Sequence, residues 1–275
     1  MPCDTCVPWT ACQGLPRALF QFRQVKVPRN LPKNFSDLRS SATMWLWALL
    51  PVLLAVGGIV GFWVVYAMAV ANGSVNITEA FPYISTCGSS PPQSCVFGQV
   101  LNLGAFLGAV ICFLKYQQVR DYGCHSRLNL VGLIFGLLCA LGSSIVGNFQ
   151  EKNQIETHLV GAFLAFVVGI LYFWVQTFLT HRVKPRHGGW WIGPLRFSLS
   201  FCGSAFLIAT IVLFFLKLHS ESAYCEWALA MVLFLLFGLF AVDFWHMGTC
   251  TVHVYHQRAD QAAQDMQTST QTLPL

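Results

Sequence analysis

Charge is what this sequence has least of. Asp, Glu, Lys and Arg together make up 10% of its 275 residues, where a soluble domain carries about a quarter. That scarcity excludes an ordinary water-soluble domain. The net charge of +5 does not restore a nucleic-acid reading. Basic residues crowd before residue 40 and otherwise sit in short segments between apolar runs, so no basic recognition face exists and no nucleic-acid partner is expected.

Catalytic signatures are missing too. The chain has no HExxH, no GxSxG and no P-loop. Ser143-Ser144 lies in an apolar run with no base at matching depth. No enzyme activity and no cofactor are expected. Cys3-x-x-Cys6, followed by Cys12, lacks the second pair of ligands that structural zinc requires. These are read as plain thiols, and no metal site is expected.

What the chain does have is apolar sequence, 55% of all residues. It falls into six runs: Trp45–Ala71, Val96–Gln117, Leu128–Phe149, Thr157–Thr180, Trp191–Leu218 and Cys225–Met247. About 20 such residues span the hydrocarbon core. Backbone groups in lipid must be satisfied within the segment, so each run is a helix. The alternating ten-residue strands of a barrel are absent. The expected fold is all-α, a polytopic six-transmembrane-helix bundle occupying 44–250 as one domain. Short connections make consecutive helices antiparallel neighbours. Residues 1–43 are basic, carry Pro8, Pro16, Pro28 and Pro32, and have no apolar period. They are expected to be a disordered extension, and the polar 251–275 segment a disordered tail.

Orientation follows from Lys and Arg. Lys115, Arg120 and Arg127 flank the second connection, and Arg182, Lys184 and Arg186 the fourth. The 72–95 loop has neither residue type, and 150–156 has only Lys152 beside Glu151 and Glu156. Connections two and four are therefore cytoplasmic, and an even number of spans puts both termini there as well. The outward 72–95 loop contains two glycosylation acceptor sequences, at Asn72 and at Asn76. Asn76 lies farther from the membrane and is the better candidate. The same loop holds Cys87 and Cys95, expected as a disulfide in an oxidising compartment. Cys225, at the same level, is an alternative partner.

Ionisable residues inside spans are functional flags. Glu226 is read in the first turn of the sixth helix, where a carboxylate also suits the helix dipole. Asn148, Gln150, His158 and Glu226 all lie near the outer surface, as a candidate polar cluster for a proton, a cation or a lipid headgroup. At the inner level, Arg196 and Asp243 are a candidate ion pair. Gly57/Gly61, Gly104/Gly108 and Gly132/Gly136 are spaced to let helices approach closely. Their main expected use is packing within the bundle, and they leave a homo-oligomer open. The other expected partners are the lipid bilayer and unidentified membrane or cytoplasmic proteins.

Several short motifs resemble the damage-regulated autophagy modulator family, in particular its transmembrane protein 150 branch. They are Phe81-Pro82-Tyr83-Ile84-Ser85 with Pro91-Pro92-Gln93-Ser94-Cys95, then Gly147-Asn148-Phe149-Gln150-Glu151 with His158 and Gly161-Ala162. Cys225-Glu226-Trp227 and Asp243-Phe244 complete the set. The likeness covers about 44–247. It implies a non-enzymatic multi-pass regulator of macroautophagy and cell survival, at the plasma membrane and on endosomal, lysosomal or autophagosomal membranes. Two alternatives go with it: a mechanically gated channel or channel modulator, and a lipid-handling or phosphoinositide-kinase adaptor protein. The resemblance supplies no catalytic residues.

Overall fold

The computed structural model describes residues 21–24, 36–122, 126–182, 189–245 and 250–253. Two units separate. One consists of 1–30 with 249–275, in which Gln21–Gln24 pairs antiparallel with Cys250–His253. The other, 31–248, holds the helices. The expectations for the rest of 1–35 and 254–275 lie outside the described residues. So do those for Cys3, Cys6, Cys12, Lys184 and Arg186.

Among the described residues, six helices are long and apolar enough to cross a membrane. Their spans are Trp47–Ala71, Gln93–Asp121, Arg127–Asn148, Ile155–Arg182, Ile192–Phe215 and His219–Phe244. The helical boundaries differ from the hydropathy limits in informative ways. The first helix begins at Ser36 and carries Pro51 inside it. Hydropathy marks where a helix is apolar, not where it starts. The second helix runs on to Asp121, past the expected limit at Gln117. The sixth begins at His219, because Leu216–Leu218 alone turns the chain, with Lys217 at φ 61. Glu226 therefore lies about two turns into this helix, and the expected first-turn position is corrected: Glu221 occupies that turn.

Consecutive helices pack on one another, and the sixth closes against the first. The 72–92 loop and the 149–154 and 216–218 connections share one end of this bundle, called here the first-loop face. The core beneath that face is Phe62, Val65, Ala69, Cys87, Phe97 and Trp227 with their neighbours. Inside the fourth helix, Phe163–Val168 forms wider π turns. This segment sits where Gly142 of the third helix meets the fourth: a Cβ at Gly142 would be 2.6 Å from Ala165 N. A π segment inside a helix often marks a functional position.

Candidate functional site

The 72–92 loop is fastened to the sixth helix by three hydrogen bonds. Phe81 N donates to Ser220 Oγ at 3.1 Å, Ile84 N to Glu226 Oε2 at 3.0 Å, and Trp227 Nε1 to the Pro82 carbonyl at 3.1 Å. Aromatic rings add to this: Phe81 stacks on Tyr224 at 4.4 Å, and Trp63 lies 4.9 Å from Trp227. From the other side, Glu151 accepts from Ser85 Oγ at 2.9 Å and Thr86 Oγ1 at 3.1 Å. The loop is thus clamped between two carboxylates from separate parts of the chain. Charge-assisted hydrogen bonds of this kind are stronger than neutral ones. Glu151 was legible only as a loop charge, and nothing in its spacing pointed to Ser85.

The candidate outer cluster is divided. His158 and Glu226 line one cavity of about 270 Å³, together with Ile84, Ser85 and Phe166. His158 is buried and its Nδ1 lies 2.7 Å from the Phe149 carbonyl. A carbonyl only accepts, so Nδ1 carries the hydrogen. Asn148 goes elsewhere. It forms a two-way amide pair with Asn102 of the second helix, at 3.0 and 3.1 Å, and Ser144 Oγ donates to Asn102 Oδ1 at 2.7 Å. Gln150 accepts from Asn153 at 2.6 Å.

At the opposite end, three helices contribute to one buried charge cluster. Asp243 Oδ2 lies 2.8 Å from Arg196 Nη2 and 3.1 Å from Lys115 Nζ. Lys115 also donates to Gln118 Oε1 at 3.0 Å, and Gln118 Nε2 to the Asp243 carbonyl at 2.7 Å. Arg196 Nη1 donates to Thr180 Oγ1. Both cations lie against the Phe240 ring, at 5.1 Å for Arg196 and 5.7 Å for Lys115. Arg196 is fully buried. The Arg196–Asp243 expectation omits Lys115, which lies within the second apolar run and counts there as a charge that orients the following connection.

Cys87 and Cys95, the expected disulfide partners, are not bonded to each other in this structure. The second helix starts at Gln93 and buries Gln93 and Ser94, which leaves Cys95 exposed. Cys87 is fully buried under the first-loop face. Burial pushes its thiol up to about 12. Asn76 is exposed in a local turn, accepting from Thr78 N at 3.2 Å and Thr78 Oγ1 at 2.7 Å. Asn72 instead donates to the buried Gln93 side chain at 3.1 Å.

These geometries give the matches with known proteins a physical content. The model of the Frag1/DRAM/Sfk1/Cwh43P N-terminal domain matches residues 46–247. The chain belongs to this family. Among Frag1/DRAM relatives, Modulator of macroautophagy TMEM150B of Xenopus tropicalis is 58% identical over 230 residues, 84% of this chain and 99% of that one. The Homo sapiens protein of the same name is 54% identical over 213 residues, 77% and 91% of the two chains. Transmembrane protein 150A of Xenopus laevis is 35% identical over 235 residues, 75% and 86%. No solved structure matches the chain. The Frag1/DRAM domain match takes in all six spans and both polar clusters. Segments far apart in the chain, 81–86, 149–151 and 224–227, meet at the first-loop face of this Frag1/DRAM domain.

Proposed function

We propose that this protein is a non-enzymatic multi-pass modulator of macroautophagy and cell survival. It acts at the plasma membrane and on endosomal, lysosomal or autophagosomal membranes, with both termini in the cytoplasm and the first-loop face outward or lumenal. The observation that carries the reading is the family match across 46–247, together with relatives above 50% identity that are named modulators of macroautophagy. The geometry supports a regulator more than a conductor. The charges of Lys115, Asp243 and Arg196 are closed on one another, and the Asn102 amide is taken up by Asn148 and Ser144. A conducting path would need such groups open to water along one helix.

The test is autophagic flux in knockout cells, with and without lysosomal blockade, in full medium and under glucose starvation. Flux should change on knockout and return on re-expression of the full chain. Unchanged flux in both media would remove the reading.

A further inference from the structure

The cavity beneath the first-loop face has three features that the autophagy reading does not use. It has a charged end, an apolar body and a sideways opening. Glu226 and His158 form the charged end. Glu226 sits roughly 10 Å along the sixth helix from its start at His219, taking 1.5 Å per residue. Gly108, at the far end, lies about 22 Å along the second helix from its start at Gln93. The void thus runs on the order of 12 Å down into the bundle. Leu53, Gly57 and Leu103 line it and are themselves exposed, at mid-helix positions. The opening therefore faces the acyl chains rather than water.

Gly57 and Gly108 were expected to bring helices together. They do not: a Cβ at either would meet nothing within 4 Å. Gly61 and Gly136 do pack tightly, with Val100 and Cys112 inside 3 Å of a built Cβ. The two groups of glycines serve opposite ends, one closing the bundle and the other keeping a hollow. At about 270 Å³ the hollow is nearly twice a ~150 Å³ cavity that holds benzene.

The charged end is uncompensated. Among the described residues, the ion pairs are those of Asp243 with Lys115 and Arg196, at the other end of the bundle. Glu226 accepts one hydrogen bond, from Ile84 N, and its charged neighbour across the loop is the like-charged Glu151. A half-buried carboxylate facing an apolar cavity without a cation is unfavourable. His158 has committed its Nδ1 hydrogen to Phe149, so a neutral ring offers Nε2 as a second acceptor. Two acceptors, one of them anionic, call for a head group with several N–H donors.

We propose that this cavity binds a single-chain amphiphile with a protonated primary amine, entering from the bilayer between the first and second helices. The ammonium pairs with Glu226 and the chain lies along the hollow that Gly57 and Gly108 leave open.

The test uses the purified full chain in phosphatidylcholine nanodiscs and photoreactive dodecylamine as probe. Label should map to the first, second or sixth helix along the cavity. Unlabelled dodecylamine should displace it at concentrations roughly tenfold lower than dodecanol or dodecanoate. Gly108→Leu should abolish labelling while the thermal midpoint holds. Glu226→Gln keeps an oxygen for Ile84 N and should erase the advantage of the amine over the alcohol. Gly57→Leu, at the mouth, serves if Gly108→Leu does not fold. Equal displacement by all three competitors, label outside the cavity, or an amine preference that survives Glu226→Gln would each overturn the proposal. None of these readouts depends on autophagic flux.

Discussion

Arg196 and Asp243 stand 47 positions apart in the chain and 2.8 Å apart in space, with the Arg196 side chain fully buried. Lys115 approaches the same carboxylate oxygen from a third helix at 3.1 Å. One anion between two cations leaves a formal charge of +1 in the bundle. Asp243 is therefore the indispensable member, because its loss would leave two unpaired buried cations. Lys115 is the dispensable one, because its loss makes the cluster neutral.

Asp243→Asn should cost about 3–5 kcal/mol, the range for breaking a buried ion pair. Lys115→Met should cost about 1 kcal/mol or less, since a buried charge replaced by an apolar chain of similar size is often neutral. Thermal unfolding of the purified full chain in detergent measures both. The double variant should recover part of the Asp243→Asn loss, because one of the two stranded cations is gone.

Glycines of the second helix should separate into two classes. A Cβ at Gly98 would come 2.9 Å from the Gly147 carbonyl oxygen, a backbone atom that cannot rotate away. Gly98→Ala should destabilise by about 1–3 kcal/mol, as overpacking does. Gly108→Ala, with open space around it, should be neutral or gain up to about 1 kcal/mol of helix propensity. Equal effects at the two positions would contradict the hollow.

The full chain made in mammalian cells should carry a glycan at Asn76 and none at Asn72. Asn76→Gln should abolish the mobility shift produced by deglycosylation, and Asn72→Gln should leave it. The exposed Asn76 turn and the occupied Asn72 amide motivate the difference. Because glycans are added only on the lumenal side, the same gel tests the orientation. A mobility shift that persists in Asn76→Gln contradicts the assignment.

Cys95 should react with maleimide without prior reduction, while Cys87 should react only after unfolding. The pH dependence has a definite sign. Burial raises the folded thiol of Cys87 from 9.0 to about 12, so folding favours the protonated form. The contribution is fully present below pH about 9 and is lost as pH rises toward about 12. Cys87→Ser should flatten that part of the stability curve, as measured by thermal midpoints from pH 8 upward.

The sequence by itself determined the membrane architecture. Scarce charge and six apolar runs leave a helix as the only way to satisfy the backbone in lipid, and six such helices are present among the described residues. Arg196 and Asp243 could be paired from sequence because both sit near helix ends on the same side of the membrane. Helical rise then puts them at one depth. Lys115 and Glu151 escaped because one counts as an orientation charge at the end of an apolar run and the other as an ordinary loop charge. Lys115 joins the cluster because packing brings its helix face against Asp243 of the sixth helix. Glu151 acts only because the 72–92 loop folds over onto it.

Only the tertiary structure decided which small residues close the bundle and which hold it open. Gly61 and Gly108 have the same chemistry and similar spacing partners, yet a Cβ on one would run into Val100 and a Cβ on the other would meet nothing within 4 Å. That difference depends on how the helices pack around each glycine, and no local pattern encodes it. The same holds for Cys87 and Cys95, near neighbours in sequence that the start of a helix turns in different directions. Depth in the membrane is a property of position along the chain. Which neighbour fills the space beside a residue is set by all six helices packing together.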